Sequence, residues 1–157
     1  PHCSVRRQRQ MCIRDSYGRD DMQYGTSEAN KLEPGKRMIS TQTPTLVFDP
    51  KGDLFMILGS PGGGRIPNII TQVITNVIDH EMSCTEAVIA PRINQRLEGN
   101  LQLETGFSPD TISLLIDRGH KVESSNTMGS VQAIFLDQGN IFGVADTRRP
   151  GALAKGN

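Results

Sequence analysis

The sequence predicts an α+β fold in which helices pack against an antiparallel sheet. Two pairs of apolar runs are each joined by a short turn, which indicates β-hairpins at residues 45–58 and 131–145. Amphipathic helical patterns lie between these hairpins instead of alternating with single strands. This block-like order disfavours a doubly wound parallel sheet.

The first hairpin leads directly into a glycine-rich stretch. Strands are predicted at residues 45–48 and 54–58, on either side of the turn sequence DPKGD. The sequence GSPGGGR (59–65) follows. A helix is predicted from near Pro67 to about Met82, because apolar pairs recur every four residues, at Ile69 and Ile70, Val73 and Ile74, and Val77 and Ile78.

Shorter elements follow this helix. The capping-box sequence SCTE (83–86) predicts a helix that continues through Ala90 and stops at Pro91. Residues 92–96 and 100–104 are predicted to be short strands.

A last helix and the second hairpin complete the domain. The sequence SPD (108–110) is typical of a helix start, and Gly119 is expected to end that helix. The residues expected to face the core are Ile112, Leu115 and Ile116. The second hairpin has predicted strands at residues 131–136 and 141–145 around the turn DQGN.

The glycine-rich turn is the strongest candidate for a binding or catalytic site. Glycines let backbone N–H groups approach a ligand closely, and a helix N-terminus adds free N–H groups and positive potential. Such a turn suits an anion or a developing oxyanion. Gly59 and Gly64 have phosphate-loop spacing, but Arg65 and Ile66 stand where Lys and Ser or Thr are needed. A tight connection without a ligand is the alternative.

The segment KRMISTQTPT (36–45) is a second candidate site. Its hydroxyl pair, Ser40 and Thr41, is interpreted as a holder for a substrate carboxylate, and the alternative is a loop with local hydrogen bonds. No Ser-His-Asp set is evident. His80 and His120 lie near helix ends, where histidine usually interacts with the helix dipole or solvent, and Cys84 is interpreted as a small apolar residue. The sequence therefore offers an anion cradle without a convincing nucleophile.

Composition excludes several classes of function. The 157 residues suffice for one domain or part of one. Because 17 basic residues balance 17 acidic ones, no net charge favours nucleic acid or a membrane surface. No apolar run is long enough to span a bilayer, and no signal peptide is recognised. The three cysteines have neither metal-site spacing nor a disulfide framework, and no metal is expected.

Residues 1–16 differ from the rest of the chain. They contain four arginines and two of the three cysteines, with no usable period. A basic nucleic-acid-binding tail and a disordered arm are two interpretations. We favour a third, a non-native segment, because QMCIRDS (10–16) resembles translated adapter sequence. The domain is therefore assigned to residues 17–157.

Several ordered motifs together resemble the small subunit of γ-glutamyltranspeptidase, also called glutathione hydrolase. The motifs are KRMISTQTPT (36–45), GSPGGGRI (59–66), EA (86–87), APR (90–92), GFSPD (106–110), GSVQ (129–132) and GVADTRRP (143–150). The resemblance runs from about Ala29 to the C-terminus. It implies part of an N-terminal-nucleophile hydrolase fold, an αββα sandwich, with this chain as the C-terminal part of the small subunit.

The resemblance also implies a mechanism without a cofactor. Family members cleave their own precursor to expose a threonine, which attacks a γ-glutamyl amide with its α-amino group as base. Gly62 and Gly63 match the glycines whose N–H groups form the oxyanion hole. Ser40 and Thr41 match the hydroxyls that bind the glutamyl α-carboxylate, and Gly64 stands where many members have Ser.

The resemblance places the nucleophile outside this chain. The threonine segment and the residues that hold the substrate amino group match nothing here, so they are expected upstream. The expected partners are the large subunit, the missing N-terminal part of the small subunit, and glutathione or other γ-glutamyl substrates. A periplasmic or secreted location is implied.

Two hypotheses from other classes compete with this one. In the first, the chain is a non-catalytic module that binds a carboxylate or phosphate at the glycine turn. In the second, it is a structural partner that completes another subunit's sheet. Under the enzyme hypothesis, the segment alone is expected to be catalytically inactive, because it lacks the nucleophile.

Overall fold

The computed structural model describes residues 34–35, 41–95 and 99–156. The chain divides into two units, Pro1–Gln42 and Thr43–Asn157. In the first unit, Pro34 and Gly35 form a turn, and Thr41 and Gln42 lie outside helices and strands. The interpretation of residues 1–16 falls outside the described residues.

The second unit contains a four-stranded antiparallel sheet built from the two predicted hairpins. Its strands, in the spatial order β1-β2-β6-β7, are β1 (Thr45–Phe48), β2 (Leu54–Gly59), β6 (Gln132–Asp137) and β7 (Asn140–Ala145). Both hairpins are confirmed to within one residue. Asp49 closes the first turn by accepting the backbone N–H groups of Lys51 and Asp53, each at 2.8 Å.

A smaller sheet contains the strands β3 (Ile93–Asn94), β4 (Leu101–Leu103) and β5 (Val122–Ser124), in that order. β3 and β4 lie within the two short strands predicted at residues 92–96 and 100–104, and they pair antiparallel with each other. β5 was not predicted, and it pairs parallel to β4, with Leu101 opposite Val122. The four-stranded sheet is the predicted antiparallel sheet, whereas the smaller sheet is mixed, because α3 lies between β4 and β5 in the chain and lets β5 return in the same direction.

Three helices and one 3₁₀ turn are described. The 3₁₀ turn is Gly63–Arg65, and the helices are α1 (Ile66–Ile78), α2 (Cys84–Ile89) and α3 (Pro109–Asp117). The capping box of α2 is confirmed: Ser83 accepts the N–H of Glu86, and the Glu86 side chain accepts the N–H of Ser83. Hydrogen bonding to Ser83, through its side chain first and its backbone N–H second, lowers the pKa of the Glu86 carboxyl.

Two helix predictions need correction. α1 ends at Ile78 and not near Met82, because Glu81 takes a left-handed conformation and the Met82 N–H turns back to the Asn76 carbonyl. α3 begins and ends as expected, but none of its residues is fully buried. Ile116, expected in the core, is 54% exposed. The stripe on α3 is therefore only half covered within the part of the chain that the structure describes.

The apolar core lies between one face of the four-stranded sheet and the helices α1 and α2. On the sheet side, Met56 pairs with Phe135, and Leu58 pairs with Ala133. The helices and the segment before β6 contribute the other buried side chains of this core, which are Ile66, Ile69, Ile70, Val73, Ala87, Val88, Met128 and Val131.

The opposite face of the same sheet is apolar and largely exposed. Leu46, Ile134 and Ile141 are 57%, 42% and 72% exposed, respectively. The last described residues approach this face at β7, where the Cβ of Ala154 lies 3.1 Å from the position of a Cβ built on Gly143.

Candidate functional site

The glycine turn lies between β2 and α1 and has a backbone that requires glycine. Gly62 has φ +154° and Gly63 has φ +56°, both in the region that side-chain-bearing residues rarely adopt. A Cβ added to Gly62 would also lie 3.1 Å from Cδ1 of Ile69. The Arg65 N–H closes the turn on the Gly62 carbonyl at 3.1 Å. The two glycines predicted as a pair are therefore held together at the start of a helix.

The electrostatics of this turn favour a negative charge. α1 has 13 residues, and the first turn of this fully described helix contains no acidic side chain to offset its positive N-terminal potential. Arg65 adds a cation beside the turn. Its Nη2 donates to Oε1 of Gln102 in β4 at 2.8 Å, which ties the turn to the smaller sheet.

Side-chain amides join α1 to the smaller sheet along its length. Gln72 donates to the Ile93 carbonyl at 2.8 Å and accepts the Ile93 N–H at 2.9 Å. The Gln102 Nε2 donates a hydrogen bond to Glu123 Oε1 at 2.8 Å. This bond is the main cause that lowers the pKa of the Glu123 carboxyl. The turn is thus supported from the side of the smaller sheet.

A group of four charged side chains, here called the charged cluster, lies between α2, β4 and β7; three of them are buried, and Arg148 is half-buried. Its members are Arg92, Glu104, Asp146 and Arg148. Arg92 Nη2 lies 2.6 Å from Asp146 Oδ2, and Arg148 Nη2 lies 2.6 Å from Glu104 Oε2. Arg148 Nη1 also reaches Asp146 Oδ1 at 3.1 Å, so the two pairs form one network.

The hydrogen bonds of the cluster decide its charge state. Burial alone would raise the pKa of Glu104 and Asp146, but Arg148, Arg92 and backbone N–H donors outweigh burial and hold both carboxyl pKa values below their ordinary range. Burial lowers the pKa of Arg92, whereas the two carboxylates raise that of Arg148. Two cations and two anions therefore neutralise one another inside the protein.

Sequence reasoning missed this cluster. The sequence DTRRPG (146–151) follows the last predicted strand and is charged and turn-like in composition, whereas Asp146 is 0% exposed. The available signal was the position of Glu104 and Asp146 directly after the apolar strands β4 and β7. Carboxylates that follow apolar strands and become buried need charged or hydrogen-bonding partners, and here Arg92 and Arg148 provide them.

The hydroxyl pair is only partly described. Ser40 lies outside the described residues, and Thr41 is half-buried in the first unit. The carboxylate-binding interpretation of Ser40 and Thr41 stays a prediction. Among the other candidates, His80 is exposed, and Cys84 is half-buried with a thiol pKa raised by that burial.

Three further properties of the described residues bear on function. They contain no group of three or more His, Cys, Asp or Glu side chains placed to hold a metal ion. No helix among them has the length and apolar character to cross a membrane. A groove of about 750 Å³ on the exposed sheet face is lined by Ile57, Ile134 and Leu153, among others, and its described lining does not include residues 60–64.

Comparison with known sequences identifies the family. The sequence model described as Gamma-glutamyltranspeptidase matches residues 14–156. The chain belongs to the gamma-glutamyltranspeptidase family. The glutathione hydrolase proenzyme of Escherichia coli K12 is 40% identical over 131 residues, which are 82% of this chain and 22% of that protein. The Acylase ACY 1 proenzyme of Pseudomonas sp. V22 is 39% identical over 125 residues, 78% of this chain and 22% of that protein.

Solved structures confirm the fold class. Gamma-glutamyltranspeptidase from Pseudomonas nitroreducens in complex with L-DON has a TM-score of 0.79 and 28% identity, over 93% of this chain and 80% of that one. A mutant of Helicobacter pylori gamma-glutamyltranspeptidase has a TM-score of 0.77 and 34% identity, over 88% and 80% of the two chains. The chain therefore has the α+β fold of gamma-glutamyltranspeptidases and related N-terminal-nucleophile hydrolases. It spans about a fifth of the length of the curated relatives, 22% of the Escherichia coli protein.

Proposed function

We propose that this chain is part of a γ-glutamyl-transferring hydrolase that cleaves glutathione and other γ-glutamyl amides, and that it supplies the oxyanion hole. The proposal depends on one observation: Gly62 and Gly63, both with positive φ, lie at the start of the 3₁₀ turn that leads into α1, and neither the 3₁₀ turn nor the fully described first turn of α1 carries an acid. Membership of the gamma-glutamyltranspeptidase family supports the assignment, because the sequence resemblance described above places these two glycines at the family's oxyanion-hole positions.

The glycine pair acts on the intermediate and not on the substrate. A threonine hydroxyl, which lies upstream of this segment, attacks the γ-glutamyl carbonyl carbon, and the threonine's α-amino group takes the proton. The C=O electron pair moves onto oxygen, where the N–H groups of Gly62 and Gly63 stabilise the negative charge. Collapse expels the amine with the proton, and water or an acceptor amine then takes the glutamyl group from the threonine ester.

The remaining parts of the assignment concern substrate and partners. Ser40 and Thr41 donate hydrogen bonds to the glutamyl α-carboxylate. The complete protein is a precursor that cleaves itself, so this segment works with a large subunit and with the upstream part of its own subunit, in a periplasmic or secreted location. The relatives are described as proenzymes, which supports self-processing.

A pair of variants tests the oxyanion assignment in the complete processed enzyme. Gly63→Val places a β-branched side chain at a left-handed position, whereas Gly64→Ser changes a neighbour whose φ is not positive. Loss of one oxyanion donor is expected to lower kcat by a factor of about 10²–10³. Gly64→Ser is expected to keep kcat within a few-fold of the unmodified enzyme.

The assay is release of a chromogenic amine from a γ-glutamyl anilide, with circular dichroism as the test of folding. A folded, processed Gly63→Val enzyme with ordinary kcat would remove the glycine pair from the mechanism. In the same assay, Ser40→Ala with Thr41→Val is expected to raise KM. Residues 17–157 alone are expected to show no turnover. Turnover by that segment would contradict the proposal that the nucleophile lies upstream of it.

A further inference from the structure

We propose that the segment 128–131, here called the clamp segment, positions the oxyanion glycines through Ser60 and that Glu104 and Asp146 hold the clamp segment in place. This inference rests on the proposed role of Gly62 and Gly63. It assigns Ser60 and Gly129 as positioning residues, which act on the reaction through the backbone of the glycine turn.

The clamp segment meets the turn immediately before the two glycines. The Ser60 hydroxyl donates to the Pro61 carbonyl at 2.7 Å and accepts the Ser130 N–H at 3.1 Å. This one hydroxyl therefore links the backbone of the clamp segment to the peptide that precedes Gly62. A shift of either backbone would stretch one of the two bonds.

Gly129 shows how closely the two backbones approach. A Cβ added there would lie 2.7 Å from the Pro61 carbonyl oxygen, from Ser60 Oγ and from Cδ1 of Ile69. Real Cβ atoms essentially never come that close to other heavy atoms. Any side chain at this position would therefore displace the turn, the clamp segment or α1.

The charged cluster holds the clamp segment from the other side. The Met128 N–H donates to the Glu104 carboxylate, and Arg92 Nη1 donates to the Met128 carbonyl at 2.7 Å. The Val131 N–H donates to Asp146 Oδ2 at 2.9 Å. Both ends of the segment are thus bonded to buried ions, which cannot move without losing their partners.

This arrangement gives the turn a rigid support outside its own sequence. Oxyanion donors act only when they are already aimed at the developing charge, and a displacement of about 1 Å in an active site can cost about 10²-fold in rate. The support matters most when the oxyanion forms, so its loss should lower kcat more than it changes substrate binding.

Two matched pairs of variants in the complete processed enzyme test the proposal. Gly129→Ala adds the clashing Cβ, and Gly119→Ala is its control, because Gly119 also has positive φ but no atom of the described residues lies within 4 Å of its Cβ position. Ser60→Ala removes the linking hydroxyl, and Ser60→Thr keeps it. The readouts are kcat, KM, melting temperature and the affinity for a γ-glutamyl boronate, which forms a tetrahedral adduct with the nucleophile.

We expect Ser60→Ala to lower kcat by about tenfold or more and to weaken boronate binding in parallel, with KM nearly unchanged and activity largely restored in Ser60→Thr. Gly129→Ala should have the same signature with a larger loss, up to about 10²-fold, while Gly119→Ala keeps ordinary kcat. Unchanged kcat and boronate affinity in Ser60→Ala would overturn the proposal. The proposal would also be overturned if Gly129→Ala and Gly119→Ala lost kcat equally, and only in proportion to their drop in melting temperature.

The outcome is separable from the proposed function itself. If Gly63→Val abolishes turnover while Ser60→Ala and Gly129→Ala keep ordinary kcat, the oxyanion assignment stands and the clamp is wrong. If Gly63→Val keeps ordinary kcat, the oxyanion assignment fails first, and any loss in Ser60→Ala then has another cause.

Discussion

The apolar core and the charged cluster both hold the clamp segment, but they do so with opposite chemistry. The core takes the side chains of Met128 and Val131, both fully buried. The cluster binds the backbone of the same two residues through Glu104, Asp146 and Arg92. Apolar burial is non-directional and keeps the segment close to α1, whereas hydrogen bonds to ions fix the direction of its peptide groups.

The difference teaches where each kind of contact is used. The core tolerates an exchange of one apolar shape for another of similar volume. The cluster does not, because removing one ion leaves its partner charged, buried and unpaired. The backbone next to the proposed oxyanion turn is therefore positioned by the kind of contact that tolerates substitution least.

The largest expected effect comes from breaking the cluster with Asp146→Ala. Asp146 accepts Arg92, Arg148 and the N–H groups of Val131 and Arg148, so its loss leaves Arg92 without a counter-ion. Unpairing a buried ion costs about 3–5 kcal/mol. Urea unfolding should show this loss in the free energy of unfolding. The control, Asp117→Ala at an exposed position, should stay within about 0.5 kcal/mol.

A nearly isosteric variant sharpens the same point. Asp146→Asn keeps the shape but removes the negative charge, so it should still be strongly destabilising. A loss below about 1 kcal/mol for both Asp146 variants would mean that the cluster is held by its surroundings and not by its ion pairs.

The next largest effect is expected in the apolar core, from Ile69→Ala. Ile69 is 1% exposed, and its Cδ1 lies against both Gly62 and Gly129. Truncation of a buried Ile to Ala costs about 2–5 kcal/mol. Ile69→Leu should cost less than about 1.5 kcal/mol, and Ile141→Ala on the exposed sheet face should cost almost nothing. A severe loss in Ile69→Leu would mean that this core is as intolerant as the cluster.

The sequence predicted the apolar half of this comparison and missed the charged half. The strands of the four-stranded sheet and the cap of α2 were predictable because their signals are local: short apolar runs, turn residues and a capping box. The glycine turn was found for the same reason. Its charge preference followed from its position between a strand and a helix, before any partner was known.

The missed features all depend on contacts between distant residues. Arg92 and Asp146 are 54 positions apart, and nothing near either of them indicates the pairing. β5 is only three residues long and exists because β4 offers it an edge. Ile116 is exposed because no other described segment covers it, and the apolar pattern of α3 does not specify which segment would.

A pH experiment tests the charge state that the comparison assumes. Because the pKa values of Glu104 and Asp146 are lowered in the folded state, the unfolded chain binds more protons in acid. Their contribution to stability is complete above the ordinary carboxyl pKa, about 4, and is lost as pH falls through the lowered values. Melting temperature should therefore fall more steeply below about pH 4 in the native sequence than in Glu104→Gln. If melting temperature fell equally steeply with pH in both proteins, the ionised Glu104 carboxylate would not contribute to stability.

The smallest expected effect concerns α2, the helix that both regions share. Ala87 and Val88 pack in the apolar core, and the Val88 carbonyl accepts hydrogen bonds from Arg92 and Arg148. If these contacts hold α2 in place, the capping box stabilises only the first turn of the helix. Ser83→Ala should then lower the free energy of unfolding by about 1 kcal/mol. Ser113→Ala, at an exposed position within α3, is the control and should change stability by less than about 0.5 kcal/mol. A loss of several kcal/mol in Ser83→Ala would show instead that the cap, and not the two buried regions, keeps α2 in place and the Val88 carbonyl within reach of the cluster.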